Sequence, residues 1–317
     1  MRDSKKETQT DAVYDAWTLK HMKNLMLTMA VAAFAAFAGE LRAEAETQEE
    51  FGFPISIWGF GNCGVYSGYQ LYGSLVNSEP TLQGYAEVNA QLTISEVDIG
   101  YLGMGLWFNS DLTKRRSDMY YPLGRGIPNE YDPNVHFGRT FWFDDERTWG
   151  LDWRSTFVWY YYPPHNYHGA DHTPTTWDFD HSFALLNPYV IPFVDVVREY
   201  TKGANLLQFG IKKPIDVTES LSVVPSLTMV WREHQYNWCF PTAFGDASKC
   251  NSGIATMKLM LEATWKFTDN VGLFVKVAYC SIVDPDLRDN CDNELGGDDY
   301  GRYKDFAWGG VGVTFSF

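Results

Sequence analysis

Charged and amide side chains recur at every second position in several segments that otherwise carry large apolar residues. Between Trp149 and Tyr161, for example, Asp152 and Arg154 alternate with apolar side chains such as Trp153. Side chains at alternate positions of a β-strand point to the same face of a sheet. The spacing therefore predicts a sheet with one apolar face and one face that can interact with ions and polar solutes. The candidate residues on the polar face are Glu87, Gln91, Asp152, Arg154, Lys212, Lys258, Glu262 and Lys266.

The elements that position these side chains are segments of period two that are separated by turn residues. Short and long connections alternate along the chain, which is typical of membrane barrels with short periplasmic turns and long external loops. A count of ten strands is the alternative, but it would place a long loop on the periplasmic side. We predict twelve strands, at 56–71, 81–93, 97–109, 136–144, 148–161, 177–186, 189–198, 204–213, 220–232, 254–267, 271–283 and 305–317.

The C-terminal segment indicates where this sheet resides. Val311, Val313, Phe315 and Phe317 share one face, and small or polar residues occupy the other. An apolar alternation that stops on a terminal Phe resembles the closing strand of a bacterial outer-membrane barrel, and in that family it is read by the barrel-assembly machinery. The sequence thus predicts an all-β fold, an antiparallel transmembrane β-barrel in contact with outer-membrane lipids. A soluble β-sandwich is the alternative fold.

Residues 22–45 have the features of a secretory signal peptide. Lys23 precedes an apolar run of 14 residues from Leu25 to Ala38, and a small-x-small cleavage site follows at 43–45. The run is too short to span a bilayer, which takes about 20 residues. We therefore predict export to the outer membrane of a diderm bacterium after cleavage of the signal peptide.

The predicted domain organisation follows from this signal. Residues 1–21 are polar and unpatterned, and Met22 opens a normal signal peptide by itself. We expect residues 1–21 to be an extended or misassigned N-terminus, 22–45 the signal peptide, 46–54 a short N-terminal segment, and 55–317 the barrel.

Composition agrees with a membrane barrel. Aromatic residues make up 16% of the chain, with 12 Trp, 19 Tyr and 21 Phe, an excess that aromatic girdles at the two membrane interfaces would use. The formal net charge of -15 makes nucleic acid an improbable partner, because binding it requires Lys and Arg to neutralise phosphates.

Three short motifs are shared with a known family. The chain carries GLWFNS at 105–110, WYYYP at 159–163 and NPYVIPFVD at 187–195, and a Tyr- and Gly-rich segment at 64–83. These segments resemble the GxWxSN-like strand, the strand ending in YxYP, the NPxVxxYxD segment and the opening hairpin of the TorF-like porin family. The resemblance covers most of 55–317, and it implies a barrel with a porin role and no catalytic residues.

Five cysteines follow the signal peptide, which places them in a compartment where disulfides form. Cys239 and Cys250 fall in one predicted external loop, and Cys280 lies eleven residues before Cys291 at the edge of another. We predict one disulfide within each pair, with Cys63 left unpaired. Spacing alone leaves other connectivities open.

Two predicted external loops contain residue types that bind metals. His165, His168 and His172 occur at spacings that a zinc site uses, although chance is the preferred explanation in a loop without a fixed scaffold. The acidic loop at 284–299 offers oxygen ligands for Ca²⁺, but it has no EF-hand spacing and is expected to be solvated. No cofactor is therefore expected, with Ca²⁺ at the acidic loop as the alternative.

These observations favour a passive channel over an enzyme. His181 and Ser182 are neighbours on a predicted strand and so face opposite sides, and the chain contains no GxSxG motif. We predict a porin-like channel for small polar solutes or ions. The alternatives are a plugged structural or adhesin-like barrel that acts through its external loops and, less favoured, an outer-membrane hydrolase.

Overall fold

The computed structural model describes residues 56–72, 74–77, 80–94, 97–112, 130–161, 175–200, 203–234, 251–291 and 305–317. The chain divides into two units, Met1–Pro54 and Ile55–Phe317, and the described residues all belong to the second. The first unit, with the predicted signal peptide, lies outside the described residues. Within the described part, none of the helices has the length and apolar character needed to cross a membrane.

The described part of Ile55–Phe317 is built almost entirely from strands, because the period-two alternation runs through most of it. Its one helix of defined bounds, α1, covers Pro285–Cys291. The strands are β1 (Ile57–Tyr66), β2 (Tyr69–Leu71), β3 (Ser74–Asn77), β4 (Thr81–Ile94), β5 (Val97–Asp111), β6 (Glu130–Trp142), β7 (Gly150–Tyr161), β8 (Thr175–Leu186), β9 (Ile191–Glu199), β10 (Ala204–Lys212), β11 (Ile215–Asp216), β12 (Leu221–Arg232), β13 (Gly253–Lys266), β14 (Val271–Ile282) and β15 (Asp305–Ser316).

Twelve of these strands form one closed antiparallel barrel, as predicted. Each long strand pairs with the next long strand along the chain, β1 pairs with β15, and the pairing of β10 with β12 completes the ring. The two-residue strand β11 lies in the connection between β10 and β12, and it pairs with β12. Strands β2 and β3 form a separate two-stranded sheet between β1 and β4.

The outer surface of the barrel is apolar. Leu102, Met104 and Leu106 on β5 are 54%, 61% and 42% exposed, and they alternate with glycine at positions 103 and 105. Exposed aromatic side chains lie at both ends of the strands. At one end Trp177 stacks on Tyr200 with centroids 4.3 Å apart. An apolar belt between two aromatic rims is the surface that a bilayer requires of a β-barrel.

The seam between the first and last barrel strands is closed by aromatic rings lying over glycine. Gly59 and Phe317 exchange two backbone hydrogen bonds of 3.1 Å each. A Cβ atom on Gly59 would lie only 2.5 Å from the Phe317 ring, and the Phe315 ring covers Gly61 in the same way. The C-terminal aromatic residues therefore pack on space that only glycine leaves open.

Two predicted strand bounds are wrong by more than two residues. The first strand was expected to run to residue 71, but it ends at Tyr66, and the following residues turn into the β2–β3 hairpin. Strand β6 begins at Glu130, six positions before the predicted start at 136. Pro133 lies where the pairing of β6 with β7 skips two positions, so a residue without an N–H is tolerated there.

Candidate functional site

A hydrogen-bonded network joins the inner faces of β4, β6 and β7. Arg154 Nη1 forms an ion pair with Glu87 Oε2 at 2.9 Å, and its Nη2 donates to the Tyr85 hydroxyl at 3.1 Å. Glu87 also accepts hydrogen bonds from the Tyr85 hydroxyl and, at 2.9 Å, from Asn89 Nδ2. His136 Nε2 lies 2.7 Å from Asn89 Oδ1, and its Nδ1 lies 3.0 Å from Arg154 Nη2. The network fixes the Arg154 charge inside the barrel.

Carboxylates crowd the inner wall from β6 to β9. Asp132, Asp178 and Glu199 are 7%, 2% and 1% exposed. Asp195 accepts a hydrogen bond of 3.0 Å from Gln208 on β10. Among the described residues, Oδ1 of Asp132 and Oδ1 of Asp180 have no hydrogen-bond partner. Because opposite charges attract, a positively charged group is favoured beside the carboxyl groups of this acidic wall.

Lysine side chains line the opposite wall, on β13 and β14. Lys276 Nζ lies 3.0 Å from Glu262 Oε2 and 5.0 Å from the centre of the Phe274 ring. Lys258 lies on the same face of β13, and the described residues give it neither an ion pair nor a hydrogen bond. In the strand order β13 lies halfway around the barrel from β6, so Lys258 faces the acidic wall.

The β2–β3 hairpin folds into the lumen between these walls. At its base, Trp308 Nε1 donates a hydrogen bond of 2.9 Å to the carbonyl oxygen of Gly68. Further on, the Tyr69 ring lies 5.5 Å from the Trp107 ring. Thr256 Oγ1 on β13 donates a hydrogen bond of 2.6 Å to the carbonyl oxygen of Tyr72. The hairpin thus crosses the barrel and narrows it.

The space left beside the hairpin is a cavity of about 400 Å³. Residues from most of the circumference line it, including Tyr85 and Trp107 on one side and Gln208 on the other. The charged residues that line it are Asp132, Lys258 and Lys276. The cavity therefore brings both signs of charge to one space inside the barrel.

Apolar side chains fill other parts of the inner wall, which the alternation of charged residues did not predict. Leu206 and Val230 pack with Ile282 and with Leu287 of helix α1, and Leu71 of the hairpin packs against them. A second cluster, on β1, β14 and β15, contains Tyr66, Phe274, Ala278, Cys280, Phe306 and Trp308. These apolar clusters make the lumen narrower and less polar than a lumen lined by charged side chains alone would be.

The eight predicted polar-face residues all lie on the inner face, but they do not form one site. Glu87 and Arg154 are paired in the network, and Glu262 pairs with Lys276. Two others form hydrogen bonds with a neighbouring side chain: Asp152 accepts one of 2.7 Å from Thr140, and Gln91 donates one of 2.5 Å to Asp98. Lys212 and Lys266 are exposed at the ends of their strands. Lys258 lines the cavity.

The prediction of a disulfide between Cys280 and Cys291 is wrong. Cys280 is a free thiol, because its side chain points to the inner face of β14 and is buried in the aromatic cluster. Cys63 is also free. Cys239 and Cys250 lie outside the described residues, so their pairing stays a prediction.

The predicted metal-binding loops are mostly outside the described residues, which include neither His165, His168 nor His172. In the acidic loop, Asp284 accepts a hydrogen bond of 3.1 Å from the Leu287 N–H and lies 3.4 Å from Arg232 Nη2. It therefore caps α1 and pairs with arginine. Among the described residues, no group of three or more His, Cys, Asp or Glu side chains is arranged to hold a metal ion.

One serine–histidine pair lies on the outer, apolar surface. Ser155 Oγ on β7 is 2.7 Å from His181 Nδ1, its cross-strand neighbour on β8. The sequence did not reveal this pair, because a long connection joins the two strands and hides their register. On the far side of His181 the cross-strand neighbour is Val196, which cannot orient an imidazole. The pair also lies near the middle of both strands, away from the membrane interface.

No family model and no curated protein matches the sequence, so membership of the TorF-like family stays a prediction. Solved structures of similar architecture include the KdgM porin in complex with disordered oligogalacturonate, with 6% identity over 82% of this chain and 99% of that chain and a TM-score of 0.41. An outer membrane channel from Pseudomonas putida F1 has 12% identity over 83% and 95%, with a TM-score of 0.45. Outer membrane phospholipase A from Escherichia coli has 14% identity over 81% and 92%, with a TM-score of 0.42. At these values the similarity carries no argument about solute or activity.

Proposed function

We propose that this chain is an outer-membrane channel through which small polar solutes or ions diffuse passively. The observation that carries the proposal is the cavity of about 400 Å³ inside a closed barrel, lined by Asp132 and by Lys258 and Lys276. Charged groups that line a lumen replace part of the hydration of a passing solute and select it by charge. The apolar outer belt supports a position in the membrane, and the predicted signal peptide supports export.

The hairpin supports a narrow channel over a wide one. Barrel diameter grows with strand number, and twelve strands lie between small filled barrels and wide aqueous pores. Tyr69 and Tyr72 of the hairpin reduce the remaining passage further. We therefore expect passage of small solutes and exclusion of large ones.

A second candidate function is a plugged barrel that acts through its external loops. The apolar cluster around Leu206 favours it, because this cluster joins the hairpin and α1 to the barrel wall in a packed arrangement. The two candidates differ in one measurable property, which is the flux of solute through the lumen.

Liposome swelling separates the two candidates. The refolded chain is inserted into liposomes, and swelling is followed after addition of glycerol, a monosaccharide and a trisaccharide. A channel of this size is expected to pass glycerol faster than the monosaccharide and to exclude the trisaccharide. Liposomes that contain folded barrel but swell no faster than protein-free liposomes would favour the plugged barrel.

A further inference from the structure

The cavity beside the hairpin presents opposite charges on opposite walls. Asp132 lies on β6, and Lys258 lies halfway around the barrel on β13. Asp132 Oδ1 is buried without a hydrogen-bond partner, and Lys258 has no ion pair among the described residues. A buried polar atom without a partner is destabilising, so a positively charged group of a solute beside the Asp132 carboxyl group offsets part of that cost.

We infer that this cavity binds a small zwitterionic solute, with its ammonium group at Asp132 and its carboxylate at Lys258. The inference deepens the proposed channel function and rests on it for its role in transport. The two charged groups lie on opposite walls of the lumen and not along one strand, so the solute that contacts both carries its two charges at its two ends.

The neighbouring groups reinforce each end of this site. Glu130, on the same strand as Asp132, and Asp178, on β8, are buried carboxyl groups of the same inner wall, so the ammonium end of the solute lies on the acidic side of the barrel. Lys276 lines the same cavity and adds positive charge near Lys258. Opposite charges attract strongly where water is partly excluded.

Aromatic residues also line the cavity. They are Tyr66, Tyr69, Trp107 and Trp308. Aromatic rings offer apolar contact to short side chains of a solute, and ring faces attract ammonium groups. The site therefore fits a zwitterion with small side chains better than an inorganic ion.

Isothermal titration calorimetry on the refolded chain in detergent micelles tests the inference without requiring conduction. The probes are alanyl-alanine, N-acetyl-alanyl-alanine, which keeps only the carboxylate, and alanyl-alanine amide, which keeps only the ammonium group. We expect each single-charge analogue to bind about tenfold more weakly than alanyl-alanine, the loss of one charged contact of about 1.4 kcal/mol.

Two variants assign the ends of the ligand. Lys258→Met is expected to weaken the binding of alanyl-alanine about tenfold and to leave the affinity for alanyl-alanine amide unchanged. Asp132→Asn should leave the affinity for N-acetyl-alanyl-alanine unchanged. Lys213→Met and Asp145→Asn, in exposed turns, are the matched controls and should change neither affinity. Because each variant is compared with itself across three ligands, a general loss of structure is distinguishable from loss of one contact.

Equal affinity for all three probes, or a preference for either single-charge analogue, would overturn the zwitterion site. These outcomes are independent of the channel proposal. A barrel that conducts without binding alanyl-alanine refutes only the site, and a barrel that binds it without conducting refutes only the channel.

Discussion

Arg154 on β7 forms an ion pair of 2.9 Å with Glu87 on β4, although two strands, β5 and β6, separate their strands in the barrel wall. The pair therefore braces the inside of the barrel across a curved part of the wall. The Glu87 side chain is fully buried and that of Arg154 is 24% exposed. Removal of Glu87 leaves the Arg154 charge partly buried, with no other carboxylate of the described residues in ion-pair contact with it.

Glu87→Gln is expected to destabilise the barrel by about 3 kcal/mol, because breaking a buried ion pair leaves an uncompensated charge. Glu262→Gln is the matched control, since it breaks an ion pair of similar length between side chains that are 27% and 21% exposed. Its expected cost is about 1 kcal/mol or less. Urea unfolding followed by tryptophan fluorescence measures both, and equal losses would refute the bracing role of Glu87.

Thr256→Val tests whether the hairpin restricts the lumen. The variant removes the hydrogen bond to the Tyr72 carbonyl oxygen, which costs about 1 kcal/mol and loosens the far end of the hairpin from β13. We expect faster liposome swelling with the monosaccharide. Thr264→Val, on the same face of the same strand, is the control and should behave as the wild type. Unchanged swelling in both variants would show that the hairpin does not limit flux.

Gly59→Val tests the seam of the barrel. The added side chain would meet the Phe317 ring at 2.5 Å and the Glu87 carbonyl oxygen at 2.6 Å. Backbone cannot move aside cheaply in a paired strand, so we expect a several-fold lower yield of folded barrel in heat-modifiability gels. Gly253→Ala is the control, because its Cβ meets only the end of the Asp284 side chain at 3.2 Å. Normal folding of Gly59→Val would contradict the packing at the seam.

The turn between β6 and β7 predicts a pH dependence. Asp144 accepts hydrogen bonds from the Thr148 hydroxyl and from the N–H groups of Thr148 and Trp149, the latter two at 3.0 Å. These bonds, that from the Thr148 hydroxyl above all, hold the pKa of Asp144 below its usual value. A lowered pKa in the folded state contributes stability above the unfolded value of about 3.9, and this stability is lost as the pH falls through the folded value.

Asp144→Ala is therefore expected to melt at a lower temperature than the wild type at pH 7. The difference should shrink as the pH falls below about 4, where the wild-type carboxylate takes up a proton. Thermal melts of wild type, Asp144→Ala and the control Asp145→Ala from pH 7 to pH 2 measure it. A difference that stays constant with pH would assign the loss to something other than the charge of Asp144.

The barrel follows from the sequence because one physical rule, the period-two alternation, acts along the whole chain. The rule fails at Tyr69–Leu71, where the alternation continues from β1 although the chain leaves the wall. Apolar residues inside the lumen, such as Leu206, were also missed, because alternation assigns polar residues to the inside and has no signal for a hairpin that packs there.

The inner face of each strand could be predicted, but the contacts between inner side chains could not. Glu87 and Arg154 meet only because the wall curves, and the pairing of Glu262 with Lys276 depends on the register of β13 and β14. Register across a short turn follows from the turn, whereas register across a long connection does not. The pair of Ser155 and His181 spans such a connection, and no local pattern in the sequence indicates it.

Single-channel recording in a planar bilayer tests the central claim most directly. The chain over residues 46–317 is refolded, shown to be folded by its heat-modifiable migration, and added to one side of the membrane. The account predicts discrete conductance steps, smaller than those of a wide pore because the hairpin narrows the lumen. A correctly folded barrel that inserts and stays silent would contradict the channel and favour the plugged barrel.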